Sequence, residues 1–216
     1  MSDFSTRRVM MVDTQVRPSD VTKFPIIAAM LSVSREDFVP DARREAAYAG
    51  LNIPLADNRV VLEARSLAKI LDFLDIQPGD CVLDLGTGYG YASAVMVELG
   101  ANVVAVEEAA MAGSARTRLD TAGCAGVTLV TAPLATGAPA QGPYDAIIVQ
   151  GAVEVMPDAI LAQVKEGGRI GAIFMEGALG VARIGHKLDG VVNWRYAFNA
   201  TAPVLPGFEA RRKFVL

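Results

Sequence analysis

The chain has 216 residues, 52% of them hydrophobic and 20% charged, a composition that predicts a compact folded protein and excludes a disordered one. The formal net charge of −4 argues against a nucleic-acid partner, because binding phosphates over a broad surface needs clustered Lys and Arg. The two cysteines, Cys81 and Cys124, lack paired spacing, and His186 is the single histidine, so we expect neither a disulfide scaffold nor a metal site.

The distribution of apolar residues also bears on location. No apolar run reaches the length of about 18 residues that a membrane-spanning helix requires. The start of the chain, MSDFSTRRVMMVDTQ, has a basic pair but none of the apolar stretch typical of a secretion signal. We therefore expect a cytoplasmic protein with no membrane partner.

Residues 1–60 are predicted to form a helical N-terminal appendage, followed by one compact core over residues 61–216. Apolar residues between positions 21 and 32 have helical spacing, with Ser19 or Asp20 as a cap and Pro25 early enough to be tolerated. Residues 41–60 combine a short helical pattern with a loop around Asn52 and Asn58.

Beyond residue 60, short and continuously apolar runs alternate with helical patterns. Strands are predicted over residues 81–85, 102–106, 127–131, 146–149 and 169–174, and helices over residues 67–74, 91–99, 109–122 and 157–164, the last one stopped at Gly167 and Gly168. Such alternation predicts an α/β fold with a parallel sheet covered by helices on both sides. The tail, rich in Val, Trp, Tyr and Phe between turn residues, is expected to add two strands as an antiparallel edge.

The segment CVLDLGTGYGY, residues 81–91, runs from a predicted strand through a glycine-rich turn into a predicted helix. Gly86, Gly88 and Gly90 permit positive φ and the close approach of a ligand, and the helix start offers unpaired N–H groups. The dinucleotide-binding pattern GxGxxG would place its third glycine at position 91, where Tyr91 stands. The turn therefore predicts a ligand site, and Tyr91 weakens a nicotinamide-dinucleotide assignment.

Two acidic residues flank this turn. Asp84 stands two residues before Gly86, and Glu107, with Glu108 as a poorer candidate, closes the next predicted strand 21 residues after Gly86. A carboxylate at the end of the second strand can accept both hydroxyls of a ribose. S-adenosylmethionine carries a sulfonium, an amino group and a ribose but no phosphate, so this pattern favours it over a dinucleotide. The alternative interpretation is a turn that merely connects strand and helix.

Four segments in order carry a resemblance to a known family: SREDFVPDARREAAYAG (34–50), LDLGTGYGYASAVMVELG (83–100), PYDAIIVQGAVEVMP (143–157) and LAQVKEGGRIGA (161–172). Over nearly its whole length the chain resembles the protein-L-isoaspartate (D-aspartate) O-methyltransferases. The resemblance implies a Rossmann-like, seven-stranded, mostly parallel methyltransferase sheet, S-adenosyl-L-methionine as cofactor, and esterification of isoaspartyl carboxylates in damaged proteins or peptides, a protein-repair activity. The positions that match the family's cofactor residues are Asp84, Gly86, Thr87, Gly88, Tyr91, Glu107 and Glu108.

The chain departs from the family's ISxP-like substrate motif. In the corresponding stretch, VLEARSLA (61–68), Leu62 replaces the family serine and Ala64 the proline. Ser66 lies four residues after Leu62, would share a helix face with it, and is a candidate to replace the missing hydroxyl. Arg59 or Arg65 is a candidate to clamp a substrate carboxylate.

A second departure lies after the third predicted strand. The family's GD pair, which holds the adenine amino group, corresponds to Ala132 and Pro133. Proline has neither a carboxylate nor an N–H, so one cofactor contact is lost there. Gln150, at the end of the next strand, is a candidate to supply a polar contact near the methionine end of the cofactor.

These observations favour two functions of different classes over a third, a nicotinamide-dependent oxidoreductase, which Tyr91 weakens. The first is a cytoplasmic S-adenosylmethionine-dependent methyltransferase of the isoaspartyl-repair type, with either the family substrate or an altered one. A carboxylate acceptor is already ionised at pH 7 and needs no general base, which fits a chain with one histidine. The second is a catalytically silent relative that binds a ligand or a protein on the same scaffold, as Leu62 and Pro133 suggest.

Overall fold

The computed structural model describes residues 3–210, which form six α-helices, nine strands and several short 3-10 or π-helical turns. The helices are α1 (Phe4–Met11), α2 (Phe24–Ser32), α3 (Ala64–Leu74), α4 (Tyr91–Glu98), α5 (Ala109–Thr121) and α6 (Asp158–Leu161). The strands are β1 (Ile53–Pro54), β2 (Val60–Val61), β3 (Cys81–Leu85), β4 (Asn102–Glu107), β5 (Thr128–Thr131), β6 (Tyr144–Val153), β7 (Val164–Glu176), β8 (Leu179–Leu188) and β9 (Val191–Asn199).

Seven strands form the main sheet in the order β5-β4-β3-β6-β7-β8-β9. The pairs from β5 to β7 are parallel, and β7, β8 and β9 pair antiparallel. The predicted seven-stranded, mostly parallel sheet with an antiparallel edge is thus confirmed. Strand β3 has the predicted bounds because its run of buried residues fits a strand that is covered on both faces.

In chain order the strands run outward from β3 through β4 to β5, and the chain then crosses back to place β6 on the other side of β3. This change of direction is a topological switch point. Ligands of open α/β sheets bind at such a switch point, outside the carboxyl ends of the strands. Leu85 is paired with Val106 on one side and with Val149 on the other. The residues that follow these three, Gly86, Glu107 and Gln150, therefore lie level with one another at the carboxyl edge of the sheet.

The N-terminal region is helical, as predicted, and packs against the sheet through a shared apolar cluster. Its buried residues Met11, Met30 and Phe38 belong to the same cluster as Leu67 on α3 and Val95 on α4. The region also contains a feature that the sequence interpretation missed. Strands β1 and β2 form a two-stranded antiparallel hairpin outside the main sheet.

The predicted helix over residues 157–164 is wrong in length, because α6 ends at Leu161 and strand β7 already begins at Val164. The glycine pair that was expected to stop this helix lies inside β7. There the strand bulges, since the pairing of Tyr144 with Val164 is followed by Ala146 with Arg169. Gly167 has φ of 78°, so the glycine serves the bulge rather than a helix end.

Among residues 3–210, no helix is both long and apolar enough to cross a lipid bilayer. Both cysteines are free, Cys124 buried and Cys81 partly buried. The described part of the chain contains no group of three or more His, Cys, Asp or Glu residues arranged to hold a metal ion.

Candidate functional site

The turn between β3 and α4 has the backbone geometry that its glycines predict. Gly86, Gly88 and Gly90 have φ of 75°, 63° and 98°, in the left-handed region where side chains are disfavoured. Gly90 is also the residue that caps the N-terminus of α4. The N–H of Gly86 donates to the carbonyl of Val106 at 3.0 Å, which fixes the turn against the end of β4.

Asp84, near the end of β3, is fully buried and accepts three hydrogen bonds from side chains. Its Oδ2 accepts from the hydroxyls of Thr87, at 2.8 Å, and Ser93, and its Oδ1 accepts from the Gln150 amide at 2.9 Å. Burial raises the pKa of the Asp84 carboxyl; the three donors oppose this effect, and the charge of Glu107 adds to it. The carboxylate is therefore held by the protein itself, and its hydrogen bonds join β3, α4 and β6.

Glu107, at the end of β4, forms a two-pronged ion pair with Arg59. The Arg59 Nη1 and Nη2 atoms donate to the two carboxylate oxygens at 2.8 Å each, and the two side chains are only 2% and 0% exposed. The N–H groups of Gly88 and Glu108 donate to the same oxygens at 2.7 and 2.8 Å. The sequence suggests Arg59 as a clamp for a substrate carboxylate; the carboxylate that it holds in the structure is that of Glu107.

Side chains of the chain itself fill the space beside the glycine turn. A Cβ atom added to Gly86 would lie 2.8 Å from Arg59 Nη2 and 3.2 Å from Leu205 Cδ1. One added to Gly88 would lie 2.8 Å from Leu55 Cδ1. Both glycines are buried. The glycines therefore permit a close approach, and in this structure the groups that approach are Arg59, Leu205 and Leu55.

We call the space bordered by Gly86, Gly88 and Glu107 the switch-point crevice. Its groups fit an adenosine-containing cofactor in type and position, since a carboxylate stands where ribose hydroxyls would bind and glycine backbone lines one wall. Entry of that cofactor requires the guanidinium of Arg59 to leave Glu107, because both would use the same carboxylate oxygens.

The serine proposed to replace the family hydroxyl is buried and paired. Ser66 is 2% exposed and donates from Oγ to the Glu63 carboxylate at 2.6 Å. Leu62 is 1% exposed, and its carbonyl accepts from Arg35 Nη2 at 2.7 Å. Ser66 and Leu62 do not share a helix face, because α3 begins at Ala64. Position 62 thus belongs to the apolar core and the structure places no hydroxyl there.

Tyr91, the first residue of α4, is directed into the N-terminal cluster. The Arg35 guanidinium carbon lies 4.7 Å from the centre of the Tyr91 ring, and the Phe38 ring lies 6.0 Å away. The side chain of Tyr91 therefore fixes α4 against the N-terminal region. Its assignment as a cofactor contact stays a prediction.

The remaining predicted cofactor residues lie around the end of β4. Ala132 donates its N–H to the carbonyl of Glu107 at 3.1 Å, directly before Pro133. Glu108 is the residue that precedes α5 and caps it without a side-chain hydrogen bond. Both residues are positioned at the carboxyl edge of the sheet, as their place in the sequence predicts.

Sequence reasoning missed three residues of this site: Ser93, Leu55 and Leu205. A signal for Leu205 exists in Gly151, inside β6, where an added Cβ would lie 2.4 Å from Leu205 Cδ2. A glycine in a strand interior indicates close approach by another segment. Asp57 is a signal for the hairpin that carries Leu55, since Asp tolerates the positive φ of 51° found there.

Comparison with known proteins gives consistent matches over most of the chain. A family model described as protein-L-isoaspartate (D-aspartate) O-methyltransferase matches residues 8–187. A protein-L-isoaspartate O-methyltransferase of Methylorubrum extorquens is 36% identical over 78% of this chain and 74% of its own length. A protein of the same name from Koribacter versatilis is 33% identical over 79% of this chain and 77% of its own length.

Solved structures share the fold. A Plasmodium falciparum protein, described as a beta-aspartate methyltransferase in complex with S-adenosyl-L-homocysteine, superposes with a TM-score of 0.79 over 95% of this chain and 99% of its own, at 15% identity. A protein-L-isoaspartate O-methyltransferase superposes with the same TM-score of 0.79 over 94% of this chain and 66% of its own, at 22% identity. At these identities the superpositions concern the fold.

Proposed function

The chain belongs to the protein-L-isoaspartate (D-aspartate) O-methyltransferase family, and we propose that it transfers a methyl group from S-adenosyl-L-methionine to carboxylates of isoaspartyl type in proteins or peptides. The family match over residues 8–187 supports this assignment. The name of its relatives, protein-L-isoaspartate O-methyltransferase, identifies the acceptor class that we propose.

One observation of this chain carries the proposal: Glu107 and the glycine turn meet at the switch point, with the Gly88 N–H donating to Glu107 at 2.7 Å. A carboxylate in this position can accept hydrogen bonds from the hydroxyls of a ribose, so it favours a cofactor that contains a nucleoside. When bound, this cofactor supplies an electrophilic methyl group. Glu107 would hold the ribose hydroxyls, and the backbone of Gly86, Thr87 and Gly88 would border the rest of the nucleoside.

The protein's contribution to such a transfer is orientation. An acceptor carboxylate has an ordinary pKa of about 4 and is ionised at pH 7, so no residue has to remove a proton from it. Fixing two groups in a reactive geometry can lower a barrier by about 7–11 kcal/mol. Ala132, directly after β5, and Gln150, on β6, are the residues that we propose beside the adenine and methionine ends of the cofactor, respectively.

The acceptor side of the site differs from the family pattern, and Leu62 carries the difference because it is buried and has no hydroxyl. We propose that Ser66 and Glu63, joined by a 2.6 Å hydrogen bond, form the polar part of the acceptor side instead. We also propose a cytoplasmic location, which both free cysteines support because thiols persist in a reducing compartment.

The test is methyl transfer from tritium-labelled S-adenosylmethionine to a peptide with one isoaspartyl residue, compared with the same peptide containing aspartate. We expect label in the isoaspartyl peptide alone, in a base-labile ester. Glu107→Gln should reduce transfer about tenfold or more, since one charge-assisted hydrogen bond contributes about 1.5–3 kcal/mol. Glu98→Gln, on the exposed side of α4, is the matched control.

Equal labelling of both peptides would contradict the isoaspartyl assignment and leave a methyltransferase of other specificity. Binding of the cofactor without labelling of either peptide would favour the alternative, a silent relative that uses the scaffold for binding alone.

A further inference from the structure

We propose that Arg59 is a built-in competitor of the cofactor: carried by the β1–β2 hairpin, its guanidinium occupies the ribose-binding carboxylate of Glu107 and keeps the switch-point crevice closed. This inference rests on the proposed function, because it assigns a regulatory role to a residue within the same site. It concerns a conformational step that must precede binding, and it is independent of the acceptor.

The contacts of Arg59 match those that a ribose would need. Its two terminal nitrogens donate to the two oxygens of Glu107 at 2.8 Å each, as two adjacent hydroxyls would. Nη2 also donates to the carbonyl of Gly86 at 2.7 Å, which places the guanidinium directly against the glycine turn. The ion pair and a bound ribose therefore exclude each other.

The hairpin that carries Arg59 can move without breaking the main sheet, because β1 and β2 form a separate two-stranded sheet. Its tip, Ala56, Asp57 and Asn58, is exposed. Two hydrogen bonds close the tip, from the Leu55 N–H to the Arg59 carbonyl at 2.8 Å and from the Arg59 N–H to the Ala56 carbonyl at 3.0 Å. The hairpin thus positions Leu55 and Arg59 together, and a hinge motion of the hairpin would remove both side chains from the switch-point crevice.

In the closed arrangement, the Arg59 guanidinium does not satisfy all of its hydrogen-bond donors. Arg59 Nε is a buried nitrogen with no hydrogen-bond partner. A buried donor without an acceptor is unfavourable, so the ion pair stabilises the protein less than its two hydrogen bonds to Glu107 alone would suggest. This is the property expected of a contact that a ligand displaces rather than of a permanent structural ion pair.

The test is isothermal titration of the full chain with S-adenosylhomocysteine, comparing the wild type with Arg59→Gln and Arg59→Lys. The Arg59→Gln variant loses the positive charge and one of the two hydrogen bonds to Glu107. We expect this variant to bind S-adenosylhomocysteine at least tenfold more tightly than the wild type does. Lysine keeps a cation beside buried Glu107 but lacks the planar fork, so it should fold even where glutamine does not, with an intermediate gain. The matched control is Arg169→Gln, which breaks a partly buried pair with Asp80 at 2.7 Å, away from the crevice.

Equal dissociation constants in all four chains, weaker binding by the Arg59 variants, or binding by none of them would each overturn the competitor role. A second readout is the thermal shift at saturating S-adenosylhomocysteine, which should be larger for Arg59→Lys than for the wild type. An Arg59 variant that binds tightly but methylates no peptide would support the competitor role and contradict the proposed function, so the two failures are distinguishable.

Discussion

Gln150 on β6 donates its side-chain amide to the buried carboxylate of Asp84 on β3, at 2.9 Å across two adjacent parallel strands. Both residues are at most 4% exposed, so the bond is shielded from bulk solvent. The contact joins the two strands on either side of the switch point. It also gives Gln150 a defined structural partner at the edge where the sequence suggests a cofactor contact.

The first prediction follows from this bond. Gln150→Ala leaves Oδ1 of Asp84 buried without its donor, so we expect a loss of about 1–3 kcal/mol in the free energy of unfolding. Urea denaturation measures it. Gln141→Ala, at an exposed position, should change stability little. Equal losses in the two variants would show that the Asp84 contact is energetically unimportant.

The second prediction concerns pH. Because burial raises the pKa of Asp84, the folded protein binds its proton more tightly than the unfolded chain does. This contribution is fully present below the ordinary value of 3.8 and is lost as the pH rises through the raised value. We therefore expect the stability advantage of the wild type over Asp84→Asn to shrink with rising pH. Melting temperatures of both chains between pH 4 and 8 measure this trend.

A matched control has the opposite sign. The Lys165 hydrogen bond, with the Cys81 N–H, lowers the pKa of Asp145 below its ordinary 3.8. Its contribution is therefore present above that ordinary value and is lost as the pH falls through the lowered one. Asp145→Asn should accordingly approach the wild type only when its melting temperatures are followed below pH 3.8, and it should show no trend at higher pH. A parallel trend in the two variants would contradict the assigned pKa directions.

The sequence predicts the elements of the sheet well where one strong local pattern is present. Strand β3 is a continuous apolar run apart from Asp84, four of its five residues are buried, and its bounds, Cys81–Leu85, are predicted without error. The end of α6 is not predictable in the same way, because Gly167 lies in a strand bulge whose existence depends on pairing with β6. A glycine signals a special backbone conformation but does not say which one.

The residues of the site are likewise predictable only where a local sequence pattern marks them. Asp84 and Glu107 are recognisable because each lies next to a motif, the glycine turn or a strand end. The ion pair between Arg59 and Glu107 joins residues 48 positions apart in the sequence. It depends on the β1–β2 hairpin, which has no alternating apolar pattern in the sequence to predict it. Two strands of two residues each are too short for periodicity to indicate them.

The third prediction tests the altered substrate motif. Leu62 is 1% exposed within the main apolar cluster, so Leu62→Ser removes buried methyl groups and adds a hydroxyl without an assigned partner. We expect a loss of about 2–5 kcal/mol in the free energy of unfolding, as for other large-to-small core changes. Urea denaturation of this variant and of Leu51→Ser, at an exposed leucine, measures the difference. A Leu62→Ser variant as stable as Leu51→Ser would show that position 62 tolerates the family hydroxyl.

The fourth prediction concerns the C-terminal segment that closes the crevice from the other side. Leu205 is held on β6 by hydrogen bonds between its N–H and the Ala152 carbonyl, at 2.9 Å, and between the Ala152 N–H and the Pro203 carbonyl, at 2.8 Å. Gly151 makes room for it, since a Cβ there would lie 2.4 Å from the leucine side chain. Gly151→Ala should therefore displace Leu205 and destabilise the fold by about 1–3 kcal/mol, the usual effect of overpacking.

A double-mutant cycle can show whether the methyl group of Gly151→Ala clashes with Leu205. Leu205→Ala alone removes a buried side chain, 1% exposed, and should also destabilise the protein. In the double variant Gly151→Ala with Leu205→Ala, the added methyl group meets no leucine, so the combined loss should be smaller than the sum of the two single losses. Urea denaturation of the four chains gives this coupling. Strict additivity would mean that the alanine is accommodated by a shift of β6, and that Leu205 does not occupy the space beside Gly151 in solution.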